Sequence, residues 1–368
     1  MYRVGGSVRD ELLGRPIVDR DWVVIGATPE IMTASGYRPV GRDFPVFIHR
    51  DTGEEYALAR TERKTAPGYH GFAFHAAPDV TLEQDLMRRD LTINAMALAD
   101  DGAIVDPYGG RRDLEARLFR HVSDAFAEDP VRILRVARFA ARLPDFRVAA
   151  DTLALMRQMV EAGEVDALVP ERVWQELARG LMEQRPSRML AVLRDCEALA
   201  RILPELEALW GDTGDQMLVT DHAAARRTSI EVRFAALVHG LDLQPIEDVC
   251  KRLKVPNECR DLALMSAREH ASVSCAEALE PEATVSLFER CDAFRRPERF
   301  AQMLLAAECE ARAHDFPQGP RLQRALAAAR SVNAGEIAQR LGENRDKIAE
   351  AIHAARVQAV AERAGDAE

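Results

Sequence analysis

Residues 128–142 read EDPVRILRVARFAAR, and this stretch divides the chain. Asp129 sits where a helix cap belongs and Pro130 fits the first helical position, so a helix is predicted from here onward. At 100° per residue, Arg132, Arg135, Arg138 and Arg142 share an arc of about 120°. Ile133, Leu134, Val136, Ala137, Ala140 and Ala141 fill the other side. The helix is read as anchored by its apolar face, with a row of guanidiniums on the opposite one. Such a row is ordinarily a solvated surface. Here it follows an aspartate at the helix mouth, and an Asp/Arg pair matches both donors and acceptors of a nucleobase edge.

Outward from this stretch the two halves differ. After Asp129 the Leu/Ala spacing of three and four residues dominates and strand signals nearly vanish. Thr213-Gly214-Asp215 and Pro256-Asn257 read as breaks between helices, and the chain from about 321 is Ala-rich and helical. Before it, short strand-like and helix-like pieces alternate. Residues 17–25 (IVDRDWVVI) are β-rich. Thr28-Pro29 supplies a capping hydroxyl and an N-terminal proline. Asp51-Thr52-Gly53 and Asp100-Asp101-Gly102 each separate two strand-like runs and predict hairpins. Residues 63–80 mix Gly, Pro and aromatics without periodicity and read either as a loop over a site or as a plain connector. The expected class is α+β: a small mixed sheet, then helices.

The chain has 368 residues, 47% hydrophobic and 30% charged, the composition of an ordinary globular protein. No apolar run approaches the ~20 residues of a membrane span, so no membrane partner is expected. The N-terminus lacks the apolar core of a signal peptide, which gives a cytoplasmic expectation. Six cysteines, none in a C-x-x-C pair, read as reduced thiols. The net charge of −11 argues against indiscriminate nucleic-acid binding. Residues 111–147 run against that balance, with nine arginines and six acids. RNA recognition needs a local basic face of this kind, not a basic chain.

Three further motifs carry chemistry. Gly5-Gly6-Ser7-Val8-Arg9-Asp10 places a double glycine between a strand and a helix. Backbone amides can there approach a triphosphate, and Arg9 can add a charge-assisted bond, though a glycine pair can also be a simple tight turn. In Asp19-Arg20-Asp21, a strand would point both carboxylates to one face, ~6.6 Å apart at the backbone. They read as two solvated acids or as ligands of one or two Mg²⁺ ions beside substrate phosphates. In Arg88-Arg89-Asp90-Leu91-Thr92-Ile93-Asn94-Ala95, the arginines can hold a triphosphate or ribose and Asp90 can orient one of them. Asn94 and Thr92 can bond the sugar or brace the sheet.

In this order, GGSVRD, DRD, RRDLTINA and EDPVRILRVARFAAR resemble the class II tRNA nucleotidyltransferase/poly(A) polymerase family, of the polymerase-beta-like nucleotidyltransferase superfamily. PERVWQELARGL (170–181) and VLRDCEALARILPEL (192–206) extend the resemblance to about 210, and it continues more loosely to about 320. WVVIGATPEIM, GRDFPVFIH and EYALARTERK are similar to its proteobacterial CCA-adding branch. The resemblance implies a catalytic head over 1–128, a helical neck and body over 129–210 and a helical tail over 211–368. It implies that Asp19 and Asp21 are catalytic and bind Mg²⁺. Gly6, Arg9 and Arg89 would hold the nucleotide, Asp129 and Arg132 would read the base, and Arg135 and Arg138 would contact nucleotide or phosphate. The substrates would be CTP, ATP and tRNA, whose acceptor arm would lie along the helices, and the protein would be a monomer or weak homo-oligomer. A poly(A) polymerase of the same superfamily and a non-catalytic RNA-binding protein on this scaffold are the rival readings.

One departure stands out. Relatives in this branch often carry a C-terminal HD phosphohydrolase domain, with a metal-ligating His-Asp pair. Here RFAALVHGLD (233–242) has His239-Gly240 at that place, and Gln244-Pro245-Ile246 follows almost at once. His314-Asp315 is read as an unrelated pair. The expectation is a shortened, degenerate HD-like region without phosphohydrolase activity, in which His222 and His239 are structural.

Overall fold

A computed structural model describes the chain except for residues 41–45, 65–71, 76, 211–216, 312–314, 343–344 and 366–368. The Thr213-Gly214-Asp215 break, most of the GRDFP segment, much of the 63–80 stretch and His314 therefore lie outside the described residues. The chain divides into two compact units, residues 1–180 with 188–204 and residues 181–187 with 205–368. The first unit takes in residues on both sides of the 128/129 boundary read from sequence.

The first unit opens with β1 (Tyr2–Val4), α1 (Gly6–Leu12), β2 (Asp21–Val24), α2 (Pro29–Ala34), β3 (Arg38–Val40), β4 (Val46–Ile48) and β5 (Glu55–Leu58). Then come β6 (Thr61–Lys64), β7 (Phe72–His75), α3 (Leu82–Met87), β8 (Ala97–Ala99), β9 (Ile104–Val105), α4 (Gly110–Glu115) and β10 (Leu118–Phe119). The rest is helical: α5 (Val131–Arg142), α6 (Ala150–Glu161), α7 (Pro170–Leu181), α8 (Pro186–Asp195) and α9 (Ala198–Ile202), with a short strand β11 (Arg147–Val148) after α5. β11 pairs in parallel with β10, a connection that the sequence does not announce.

Seven strands form one mixed sheet in the order β3-β4-β5-β2-β1-β8-β9. β2 and β5 run parallel, and β1 is antiparallel to both β2 and β8. Successive strand residues point to opposite faces, so the adjacent Val23 and Val24 serve two different cores. Val23 joins Val4, Leu86, Ala95 and Ala97 on one face; Val24 joins Met32, Phe47, Tyr56 and Leu58 on the other. A sheet covered on both faces is held in register, because a one-residue slip would exchange the cores.

Both hairpins form. β4 pairs with β5 around Gly53, and β8 with β9 around Gly102, each glycine at positive φ (71° and 83°). α2 starts at Pro29, with the Thr28 hydroxyl accepting from the Ile31 amide. β6 and β7 form an antiparallel pair within the stretch read as irregular. The strand over 17–25 is shorter than expected: residues 15–20 are irregular and β2 begins at Asp21.

In the second unit the long elements are helices: α10 (Pro204–Leu209), α11 (Leu218–Ala225), α12 (Ile230–Leu237), α13 (Leu243–Leu253), α14 (Asn257–Ser274), α15 (Pro281–Arg290), α16 (Pro297–Ala311), α17 (Gln318–Arg330), α18 (Ala334–Leu341) and α19 (Arg345–Gly365). α12 packs against α14 and α16. Arg233 on α12 is buried and donates to the backbone carbonyls of Leu181, Glu183 and Thr228, which fixes the entry to this unit. Cys250, Cys259, Cys291 and Cys309 are buried thiols, and burial pushes each above its ordinary pKa, as it does Cys196 in the first unit.

Candidate active site

The turn between β1 and α1 is built around Gly5, at φ 72°. A side chain there would be strained by the backbone, and a Cβ would come within 2.7 Å of the Arg89 Nη1. The positive φ is what requires glycine here, and the missing side chain lets the Arg89 guanidinium lie against the turn. Gly6 follows as the first residue of α1. Across the β1–β2 ladder, Asp21 pairs with Val4, so its carboxylate stands at the same sheet end as the turn. Gly5, Gly6, Asp21 and Arg89 all line one cleft of about 500 Å³.

Asp21 is exposed as a residue, yet its carboxyl is crowded enough for desolvation to raise its pKa. Arg89 opposes that rise and the charge of Asp19 adds to it. Asp19 is therefore electrostatically close, but its placement corrects the sequence reading. It sits in the irregular approach to β2, exposed, and is not part of the cleft lining. The strand alternation that would align the two carboxylates does not extend to it, because Asp21 is the first residue of β2.

The α5 face is where the structure departs most from expectation. Arg132 is only 8% exposed, donating to the Ala125 carbonyl (2.8 Å) and the Arg88 carbonyl (2.7 Å). Arg135 Nε donates to Asp90 Oδ2 at 2.7 Å, and Arg142 Nη2 to Asp10 Oδ2 at 2.7 Å. Arg138 Nε donates to the buried Glu176 of α7 at 2.6 Å. The row is thus bonded into the protein and is no solvated surface. Arg132, Arg135 and Arg142 line the cleft; Arg138 does not, which corrects its expected place at the nucleotide. Asp129 lines it too. One of its oxygens accepts from the Val131 amide (3.0 Å), the predicted cap, and the other lies 3.5 Å from Arg172 of α7.

Asp90 and Arg9 are buried at 6% and 2% exposure. Burial alone would raise the Asp90 carboxyl, but Arg135 and an Asn94 hydrogen bond hold it well below the usual carboxylate range. Arg9 donates to Asn94 Oδ1 (2.7 Å) and to Asp10 Oδ1 (2.9 Å from Nε) and sits over the Phe139 ring.

In all, eight arginines and three aspartates line the cleft, an excess of five positive charges in a chain of net charge −11. Reasoning from sequence assigned no role to Arg60 or Arg172 and left Asn94 open. Arg60 lies between β5 and β6 in an unremarkable run, and Arg172 lies 40 residues beyond Arg132 in the chain. Only the packing of α7 beside Asp129 brings Arg172 to the cleft.

In the second unit His239 follows α12, and its Nδ1 lies 2.8 Å from the Ala236 carbonyl. It borders a small cavity with Ser266, His270 and Glu310, the last two 3.0 Å apart. Among the described residues no group of three or more His, Cys, Asp or Glu side chains is placed to hold a metal ion.

The described geometry can be compared with known proteins. A family model, "Poly A polymerase head domain", matches residues 1–120, and another, "Probable RNA and SrmB- binding site of polymerase A", matches residues 145–209. The chain is 60% identical to a "Multifunctional CCA protein" of Burkholderia multivorans over 404 residues, covering 98% of each. The alignment is longer than the chain, so the relative holds segments that this chain lacks. A crystal structure of the Bacillus stearothermophilus CCA-adding enzyme in complex with CTP is similar at a TM-score of 0.72 and 27% identity, over 98% of this chain and 89% of that one. The Thermotoga maritima CCA-adding enzyme complexed with tRNA shares the fold, at a TM-score of 0.68 and 21% identity, over 100% and 91%. By its head domain and its full-length likeness to such relatives, this chain belongs to the family of multifunctional CCA proteins, the class II tRNA nucleotidyltransferases.

Proposed function

We propose that the protein adds C, C and A in turn to the 3′ end of tRNA, using CTP and ATP and no nucleic-acid template. The observation that carries this reading is the cleft itself: a glycine turn, a crowded aspartate and an excess of guanidiniums at one sheet end, in a chain of this family. Related enzymes are named for CCA addition and have been solved with CTP and with tRNA.

The fit to Mg²⁺ rests on Asp21 and Asp19. Their mutual charge, and the desolvation that raises Asp21, are what a hard divalent cation would relieve. Two carboxylates suit Mg²⁺ because it keeps waters and takes its remaining ligands from substrate phosphate. Bound there, it would supply charge neutralisation at the α-phosphate and a lower pKa for the attacking hydroxyl.

The protein's own residues do the rest. The Gly6 amide at the start of α1 and the Arg89 guanidinium grip the triphosphate, with Arg9 beneath adding its field. The tRNA 3′ oxygen bonds to the α-phosphorus and loses its proton to solvent. The bond to the bridging oxygen breaks and pyrophosphate leaves. Asp129 and Arg132 face the base edge. Both are anchored, Asp129 to the α5 amide and Arg132 to two carbonyls, so the reading surface is rigid. Arg135 contacts nucleotide or phosphate; Arg138 holds α7 in place from behind. The head (1–128) does the chemistry, the neck and body (129–210) read the base and bind RNA, and the tail (211–368) is a helical, degenerate HD-like region. The protein works in the cytoplasm as a monomer or weak homo-oligomer. Its tail contributes no metal-dependent phosphohydrolase activity; metal-stimulated hydrolysis of p-nitrophenyl phosphate would contradict that.

The decisive assay uses purified protein and tRNA lacking its CCA end, with labelled CTP and ATP, separately and together, and Mg²⁺ or chelator. Two C additions followed by one A, abolished by chelator, is the expected result. Addition of A alone, to many RNAs, would make it a poly(A) polymerase, the reading that the head-domain match also admits.

A further inference from the structure

We propose that Asn94 is a positioning residue that holds Arg9 under the triphosphate grip while leaving its positive charge available to the ligand. This deepens the nucleotidyl-transfer reading and rests on it. Arg142, Asp10, Arg9, Asn94, Asp90 and Arg135 form one unbroken hydrogen-bonded line. Arg142 donates to Asp10 (2.7 Å), and Arg9 donates to Asp10 (2.9 Å) and to Asn94 Oδ1 (2.7 Å). Asn94 Nδ2 donates to Asp90 Oδ1 (3.0 Å), and Arg135 donates to Asp90 Oδ2 (2.7 Å). The line joins α1, behind the glycine turn, to α5, at the base-reading wall.

The identity of the middle member follows from donor chemistry. Arg9 offers only donors, and Asp90 as a carboxylate offers only acceptors. Whatever stands between them must accept on one side and donate on the other, and a neutral amide does this with no charge of its own. The line then holds three cations and two anions, a surplus of one positive charge at the cleft floor. An aspartate at 94 would be nearly the same size and would still accept from Arg9. It would, however, cancel the surplus and face Asp90 with a like charge. At a separation of about 10 Å and an effective dielectric of about 20, one added charge is worth roughly tenfold in anion affinity.

The test compares wild type, Asn94→Asp, Asn94→Ser and the double swap Asp90→Asn with Asn94→Asp. The double swap restores the charge count and reverses the hydrogen bond between the two positions, while costing the bond that the Leu91 amide donates to Asp90 Oδ1 (2.9 Å), so its affinity is read beside its melting midpoint. Calorimetry reads the binding of inorganic tripolyphosphate and of CTP, and circular dichroism reads the melting midpoint. Asn94→Asp is expected to weaken tripolyphosphate about tenfold, Asn94→Ser less than that, and the double swap to recover to within about threefold of wild type. A purely structural role would leave the double swap no better than the single one, with affinity tracking the melting midpoint; that result overturns the proposal. Wild-type affinity in Asn94→Asp also overturns it. Should Asn94→Asp not fold, the double swap against Asn94→Ser still decides: both keep the charge count, but only the double swap keeps Arg9 bridged through position 94 to position 90, so a double swap no better than Asn94→Ser overturns the proposal. A wild-type protein that binds tripolyphosphate but transfers no CMP would instead defeat the nucleotidyl-transfer reading and leave the charge argument standing.

Discussion

Asp21 stands across the β1–β2 ladder from Val4, one residue before the glycine turn. This pairing brings an acid, 16 residues along the chain from Gly5, to the mouth of the phosphate-binding turn. Placement there has a cost. The carboxyl is desolvated and feels Asp19, so its pKa is raised. An acid whose pKa is higher in the folded state than in the unfolded one destabilises the fold once pH exceeds the unfolded value.

Asp21→Asn is therefore expected to abolish CMP and AMP addition while the thermal midpoint at pH 7 stays equal or rises. In wild type, addition should fall as pH drops through the raised Asp21 pKa, because the protonated acid no longer serves a cation. tRNA binding, measured by filter retention, should be unchanged in the mutant. A mutant that still turns over normally would remove Asp21 from the chemistry.

Arg132→Ala should act on two readouts at once. The carbonyls of Ala125 and Arg88 lose their charged donor, which costs about 1–3 kcal/mol of stability. The rigid base-reading surface is lost as well, so the ratio of kcat/KM for CTP over ATP, on tRNA awaiting C, should drop by at least about tenfold. A destabilised mutant with intact selectivity would reduce Arg132 to a brace between α5 and the Arg88 turn.

Arg135 and Arg138 lie three residues apart on one helix, yet should behave differently. Arg138 meets the buried Glu176 and lies outside the cleft. Removing it leaves the buried Glu176 carboxylate with Arg179 at 3.8 Å in place of its closest cation, a change that costs up to about 3 kcal/mol, the low end for broken buried pairs. Arg138→Ala should thus melt earlier with little change in nucleotide KM. Arg135→Ala should raise nucleotide KM. Equal effects on KM in both mutants would place Arg138 at the nucleotide after all.

These contrasts show what could be read from residues alone. The glycine turn, both hairpins, the start of α2 and the change to helices near Asp129 were legible, because each depends on local backbone chemistry. The α5 arginine arc was also legible as geometry. Its environment was not: helical periodicity says that four guanidiniums share a face but not that Asp10, Asp90 and Glu176 will meet three of them. Those partners lie 38 to 132 residues away in the chain. The strand placement of Asp19 was misread for a different reason, since β propensity over 17–25 was real but pairing with β1 runs out at Val4. Arg60 and Arg172 reach the cleft only through tertiary packing.

In the second unit, one imidazole of α19 bridges two carboxylates of α15. His353 Nδ1 lies 3.0 Å from Glu289 and its Nε2 2.8 Å from Glu282. A carboxylate only accepts, so both ring nitrogens must donate, and only the imidazolium does so. The hydrogen bonds it donates to Glu289, then to Glu282, raise the His353 pKa above its ordinary value of 6.5. Arg356, stacked over Phe294, adds a second and pH-independent cation beside Glu289. A raised histidine pKa gives stability that is complete below the unfolded value and is lost as pH climbs through the folded one. Hydrogen exchange, corrected for intrinsic rates, should therefore show α19 less protected at pH 8.5 than at pH 6, while α12 and α14 hold steady. His353→Gln should flatten that dependence, because glutamine cannot donate to both carboxylates from opposite ends and does not titrate. Equal protection of wild-type α19 at the two pH values would mean that Arg356 and apolar packing hold the helix without the imidazolium.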